Sequence, residues 1–171
     1  MYILSVISFL LLGGFLLLAA MRFGVPAMVS DVYYQLQGCT GSEIIGDERK
    51  RNYGWVFTFV MVTCAVLMMV CMLDTGKGVQ FLAFIGCGGL MFVGAAPNYL
   101  DKDDNIVHKA AAIIAAIGGV GWCTSVNLIP TLLLAIAVLI IYSPTAKKPK
   151  FMGYYWAEVA GFLDVYITYW I

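Results

Sequence analysis

Long apolar runs separated by short polar stretches extend through the whole chain. A helix needs about 20 mostly apolar residues to cross a bilayer, and six stretches come close to that length with few or no charges inside. We therefore predict an all-α fold in which residues 1–171 form a single polytopic transmembrane domain, a bundle of six helices. The predicted helices are residues 2–21, 54–73, 79–96, 107–126, 128–142 and 153–171.

The connections between these helices are short, with one exception. The long connection covers residues 22–53, and we expect it to be cytoplasmic or to lie at the membrane interface. Its first part, residues 26–38, mixes apolar and polar side chains and could also fold back into the bundle. Residues 42–52 are strongly charged and should be solvated.

Composition supports the assignment to a membrane. Hydrophobic residues make up 62% of the 171 residues and charged residues 12%, whereas soluble domains average about 45–50% and about 25%. A soluble domain of this composition could not cover its surface with polar groups. The formal net charge is zero, which argues against a nucleic-acid partner. The five cysteines form no CxxC pair and there is one histidine, so we expect no metal site and no cofactor.

The distribution of basic residues predicts the topology. Nine of the ten Lys and Arg residues lie in or beside the first, third and fifth connections, and the tenth, Lys77, lies in the second. Connections rich in Lys and Arg stay in the cytoplasm. We therefore expect both termini on the outer side of a bacterial cytoplasmic membrane.

Two carboxylates inside the sixth predicted helix are candidates for a functional role. A charge at the centre of a bilayer costs about 2.5–3.5 kcal/mol on insertion scales, so Glu158 and Asp164 should face protein or a wet cavity. At 1.5 Å per residue, Asp164 lies about 16 Å from the start of this helix, near the membrane midplane. It shares a stripe of small and polar residues, which predicts either a proton or ligand site or an interhelical hydrogen bond. The other members are Ala157, Ala160, Gly161 and Thr168.

The single histidine predicts a second polar position. His108 begins the fourth predicted helix on the side where the sixth helix begins and where Asp31 follows the first helix. We predict that His108 and Glu158 line one cytoplasm-facing polar pocket with Asp31 nearby, although a histidine at a helix end needs no partner. The candidate ligand-binding residues are Ser30, Asp31, Asn98, His108 and Glu158, with Asp164 deeper in the bundle.

Small residues mark one face of the third and of the fourth predicted helix. Such faces let two helix backbones approach closely in a membrane, so we expect these helices to be neighbours. The residues are Gly86, Gly89 and Gly94 in the third helix and Ala111, Ala115, Gly118 and Gly119 in the fourth.

Three stretches carry a family resemblance: residues 26–31 (PAMVSD), Pro97 with Asn98, and residues 108–112 (HKAAA). In these the chain resembles six-helix bacterial membrane proteins of a domain-of-unknown-function class, similar to the DRAM (damage-regulated autophagy modulator) family. There an ISD segment follows the first helix, and a histidine followed by small residues begins a later one. The resemblance implies a six-helix membrane fold and links to membrane lipid biology, without an established reaction. In eukaryotic relatives the ISD side is thought to be lumenal, whereas the charge distribution here places Asp31 in the cytoplasm.

These observations favour a protein that is not an enzyme. We expect it to bind a membrane lipid or small amphiphile, or to regulate a membrane-protein partner, and it could form a homo-oligomer. An alternative is a small proton-coupled transporter or channel with Asp164 and Glu158 as relay groups. A weaker alternative is an intramembrane lipid-modifying enzyme that uses His108 with Glu158 or Asp31, but no nucleophile motif supports it.

Overall fold

The computed structural model describes residues 1–38, 53–95, 106–145 and 152–171, and all regular structure in these ranges is helical. The all-α prediction is therefore confirmed for the described residues. The six long helices match the six predicted ones to within three residues at each end. The helices are α1 (Tyr2–Phe23), α2 (Val32–Leu36), α3 (Gly54–Asp74), α4 (Gln80–Ala95), α5 (Ile106–Val126), α6 (Leu128–Thr145) and α7 (Met152–Trp170).

Three of these helices, α1, α3 and α5, are long and apolar enough to cross a membrane. Their mean hydropathies over the most apolar window are 2.6, 2.6 and 1.6. The apolar parts of α4 and α6 are shorter, and α7 carries two acidic residues. Within the described residues, length and composition thus establish three candidate membrane spans, and the other three predicted spans are not confirmed.

The first part of the long connection packs on the bundle. A turn of 3₁₀-helix, Val29–Asp31, leads directly into α2, which lies against α3 and buries Val32 and Tyr33. Gly54 at the start of α3 makes room for this contact, because a methyl group there would lie 2.5 Å from the Tyr33 ring. The strongly charged residues 42–52 lie outside the described residues.

Five of the long helices form a ring. Along the ring α1 packs on α3, α3 on α4, α4 on α5, and α5 on α7. Side chains of α7 then return to α1: the Ser8 and Tyr166 hydroxyl oxygens are 2.7 Å apart, and the Trp170 indole N–H donates to Ser5 Oγ over 2.9 Å. The remaining long helix, α6, packs on α7 and α5.

Close backbone contact joins α4 to α5, as predicted. A methyl group on Gly86 would lie 2.7 Å from the Gly119 backbone nitrogen, and one on Gly118 would lie 2.5 Å from Gly86 Cα. Gly94, however, was wrongly assigned to this face. It contacts Met61 of α3, because the five residues that separate it from Gly89 turn the helix by about 140°.

The outer faces of the bundle are apolar. On α6, Ile129, Leu133 and Leu139 are each more than 60% exposed. The core on the inner side is apolar as well, with Phe57 and Met61 of α3 almost fully buried. A fold that is apolar inside and outside suits a lipid environment, since soluble monomers rarely expose large apolar patches.

Candidate ligand cavity

The ring of helices surrounds a cavity of about 310 Å³. Ligand pockets in proteins measure roughly 300–1,000 Å³, so this one lies at the small end of the range. Apolar and sulphur-containing side chains form most of its wall, contributed by α1, α3, α4, α5 and α7. Representative members are Leu12, Met61, Met68, Cys87, Leu90 and Val165.

Small residues on α5 and α7 keep the centre of the ring open. Ala115 and Gly119 line the cavity from α5, and Ala157 and Gly161 line it from α7. A methyl group on Gly161 would meet no atom within 4 Å. The small-residue stripe of α7 therefore partly faces the cavity, because α7 has no helix opposite it at the centre of the ring.

Polar side chains gather at one end of the cavity, where α5 and α7 begin. Ser30, His108, Tyr154 and Glu158 line it there. The structure thus brings together three of the residues that the sequence singled out, Ser30, His108 and Glu158. Their role in binding a ligand stays a prediction.

Residues 27–31, which we call the cover segment, lie over the start of α7. The Tyr155 backbone N–H donates to the Ala27 carbonyl over 3.0 Å, which satisfies one of the N–H groups that a helix leaves unpaired in its first turn. The Val29 backbone N–H donates to Glu158 Oε2 over 2.6 Å. A carboxylate of α7 and a helix-end N–H together hold the cover segment at the polar end of the cavity.

Asp31 stabilises the cover segment from within. Its Oδ2 accepts a hydrogen bond from the Met28 backbone N–H over 3.0 Å. Burial raises the pKa of the Asp31 carboxyl above its ordinary value, while the bond from Met28 and the nearby His108 imidazole act in the opposite direction. Asp31 is also close enough to Glu158 for the two carboxylates to interact electrostatically. The predicted neighbourhood of Asp31, His108 and Glu158 is thus present in the structure.

The His108 imidazole is held between two elements. It interacts with the backbone carbonyl of Val93 near the end of α4 and with Asp31 of the cover segment. Its Nδ1 atom is buried and has no hydrogen-bond partner among the residues that the structure describes. A simple solvent-exposed histidine at a helix end would not be buried in this way.

Asp164 occupies a different place from the other candidates. Its side chain is 3% exposed, which confirms that it faces protein. The Thr131 hydroxyl of α6 donates to Oδ2 over 2.7 Å, and the Thr168 hydroxyl donates to Oδ1 over 3.3 Å. Asp164 does not line the cavity. Asn98, the remaining candidate, lies outside the described residues.

Sequence reasoning missed some features of the site. Tyr154 was not among the candidates, although an aromatic residue at a predicted membrane boundary is a recognisable signal. The hydroxyl pair of Ser8 and Tyr166 had no sequence signal, because 158 residues separate the two positions.

Comparison of the chain with protein-family models, with curated proteins and with solved structures gave no match. Its function has to be inferred from the site itself. An apolar cavity with hydrogen-bonding groups at one end is chemically suited to an amphipathic molecule.

Proposed function

We propose that the protein is an integral membrane protein that binds a membrane lipid or another small amphiphile in the central cavity. The observation that carries this proposal is the division of the cavity into a long apolar wall and one polar end with Ser30, His108 and Glu158. An acyl or alkyl chain would gain from contact with the apolar wall. The polar end would then fix the orientation of the molecule, as a few placed polar groups do in most ligand sites.

We further propose that α1 and α3–α7 all cross the membrane. In support, α4, with 16 residues, spans about 24 Å at 1.5 Å per residue, not far short of the roughly 30 Å hydrocarbon core. It packs between α3 and α5, both of which are long enough to span. The Lys and Arg distribution supports placing the polar end of the cavity on the cytoplasmic side of a bacterial membrane, with both termini outside. We also propose kinship with the DRAM-like group, because six membrane-spanning helices are what that resemblance implies.

The alternative functions receive less support. A proton-coupled transporter would need Asp164 and Glu158 on one path, but Asp164 lies outside the cavity wall and is bound by two threonine hydroxyls. A lipid-modifying enzyme would need a nucleophile beside His108. Ser30 and Tyr154 supply the hydroxyl groups at this end, and among the described residues no hydrogen bond joins the Ser30 hydroxyl to His108.

The proposal is tested by filling the cavity. Gly161→Leu places a side chain in open space that belongs to the cavity, so the fold should survive while the ligand loses its room. We expect binding of a fluorescent long-chain alcohol, an amphiphile without charge, to weaken by about tenfold or more, about 1.4 kcal/mol, when measured on the purified protein in a maltoside detergent.

Gly13→Leu is the matched control. Gly13 is a helical glycine with nothing within 4 Å of a new methyl group, but it is exposed on α1 and outside the cavity wall. We expect binding of the fluorescent alcohol to be unchanged in this variant. Equal binding by the wild type and Gly161→Leu would contradict the proposal, as would an equal loss in both variants.

A further inference from the structure

Among the residues that the structure describes, the polar end of the cavity has carboxylates close by and no Lys or Arg side chain in its wall. Glu158 lines it, and Asp31 is close enough to Glu158 to interact with it. The structure describes three Lys and Arg residues: Arg22 and Lys109 are exposed, and Lys77 lies in the turn between α3 and α4 at the opposite end of the bundle. None of these three lines the cavity.

Among the described residues that line this end, His108 is the one group that can carry a positive charge. Its imidazole interacts electrostatically with Asp31, and a single imidazolium can neutralise only one carboxylate. Tyr154, the other titratable residue in the wall at this end, supplies no positive charge. Among the described residues, Glu158 is therefore left without a cationic partner.

Both carboxylates are held in place by the protein itself. Glu158 is bonded through Oε2 to the Val29 backbone N–H, and Asp31 through Oδ2 to the Met28 backbone N–H. These bonds fix the positions of the two side chains. A carboxylate has two oxygens with about four acceptor sites, so Glu158 retains the capacity to bind a further donor. A site that is already positioned does not have to be ordered when the ligand arrives.

We infer that the amphiphile bound in the cavity carries a primary ammonium group at its polar end. Such a group has a positive charge and three N–H donors, which match the carboxylate of Glu158 and the hydroxyl oxygen of Ser30. A phosphate would place negative charge beside two carboxylates, which is unfavourable. This inference rests on the proposed amphiphile site. The same ammonium chemistry occurs in a simple alkylamine and in the ethanolamine headgroup of a phospholipid.

The test compares compounds that share one chain and differ in the polar end. Dodecylamine, dodecyltrimethylammonium and dodecyl phosphate are titrated against the purified protein in a neutral maltoside detergent, with native mass spectrometry as the readout. We expect dodecylamine to bind about tenfold or more tightly than dodecyl phosphate. It should also bind more tightly than dodecyltrimethylammonium, which has the charge but no N–H donor.

A second pair of compounds separates the two sources of the amine. Preference for lauroyl lysophosphatidylethanolamine over lauroyl lysophosphatidylglycerol would assign the ammonium to a phospholipid headgroup. Preference confined to dodecylamine would assign it to a free amine. Either result supports the inference.

Glu158→Gln and Asp74→Asn provide the matched variants. Glutamine keeps an oxygen that can accept from the Val29 N–H but has no charge, so the preference for amine over phosphate should shrink to about twofold or less. Asp74→Asn removes an exposed carboxylate at the far end of α3 and should leave the preference intact.

Equal binding of amine and phosphate, or a preference that persists in Glu158→Gln, would overturn the inference. If all three dodecyl compounds bind with equal affinity and Gly161→Leu abolishes their binding, the amphiphile site is supported and only the assignment of an amine fails. If none of the compounds binds, the proposed function fails with it.

Discussion

A buried carboxylate needs hydrogen-bond donors, and for Asp164 these come from two threonines. Thr131 belongs to α6 and Thr168 to α7 itself. One of the two bonds therefore ties α6 to a helix of the ring. In the low dielectric of a bundle, a bond to a charged or strongly polar group is worth about 1.5–3 kcal/mol. Asp164 thus acts at the junction between α6 and the ring rather than in the cavity.

Substitution of Asp164 should separate hydrogen bonding from charge. Asp164→Asn keeps one acceptor oxygen and should lower the melting temperature in detergent slightly. Asp164→Leu leaves both threonine hydroxyls without their partner and should cost about 1–3 kcal/mol. Thr131→Val, which removes only the bond between the helices, should fall between them. A leucine variant as stable as the asparagine variant would show that these bonds contribute nothing.

Asp31 should make stability depend on pH. Its pKa is raised in the folded protein, so the native state binds protons more tightly than the unfolded state, and stability decreases as the pH rises through the folded-state pKa. His108 and Glu158 interact with the same carboxyl group. Both are present in the wild type and in Asp31→Asn, so their own titration contributes to the stability of both proteins. Asp31→Asn lacks this decrease. Its melting temperature relative to wild type should therefore be higher at pH 7 than at pH 4.5.

The exposed Asp74→Asn is the control for this comparison, because it removes a carboxylate outside the cover segment. A relative melting temperature of Asp31→Asn that stays constant or falls between pH 4.5 and pH 7 would contradict the assignment.

The burial of a single residue was predictable where the properties of its own helix were sufficient to determine it. The burial of Asp164 followed from the cost of a charge in lipid. Its partner Thr131 did not, because the sequence does not show which helix lies beside α7. His108 and Glu158 were placed at the same end because both lie near the start of a helix on the same side. The Glu158 bond to Val29 depends on the path of the cover segment, which has no simple periodicity.

At the scale of elements, the contact between α4 and α5 depends on glycine. Gly86 and Gly118 face each other so closely that no side chain fits between the backbones. Glycine is ordinarily unfavourable inside a helix by about 1 kcal/mol relative to alanine. The close packing it permits has to offset that cost here.

Alanine substitutions in α4 should separate these two effects. Gly86→Ala forces α4 and α5 apart and should destabilise the protein by about 1–3 kcal/mol. Gly88→Ala, in the same helix but with open space around a new methyl group, should be neutral or stabilising by up to about 1 kcal/mol. The measurement is thermal unfolding in detergent. Equal effects at the two positions would contradict the close contact.

Elements defined by a long apolar run were predictable to within a few residues, because the length of the run sets the helix. Helix α2 was not predicted, since its five residues are too few for a periodic signal and are held by contact with α3. The packing of Gly94 on α3 was also missed. The sequence pattern shows that a residue is small, but the position around the helix axis decides which neighbour it meets.

At the scale of the whole molecule, the proposed topology gives a direct prediction. In a variant without native cysteines, a cysteine introduced as Lys77→Cys should react with a membrane-impermeant maleimide added to intact cells. Lys148→Cys should react only after the membrane is permeabilised, because the connections rich in Lys and Arg are expected inside. Labelling of position 148 in intact cells would reverse the orientation.

The cavity was the part of the whole molecule that sequence reasoning could not predict. Its polar end was anticipated, because the residues there lie near helix starts on one side. Its volume was not, since it depends on five helices closing a ring around small residues such as Gly161 and Ala115. The same small residues also fit a tightly packed bundle, and the pattern alone does not distinguish the two arrangements.

The closure of the ring has a consequence for how the protein is made. The helices that meet at the closing contact are α1, which is synthesised before the other ring helices, and α7, which is synthesised after them. Ser8 and Tyr166 are 158 residues apart in sequence, so the Ser8 hydroxyl cannot contact Tyr166 until nearly the whole ring has been translated. A nascent chain that stops before α7 has an open side and no cavity. The cavity is therefore completed only at the last step of the synthesis of the ring.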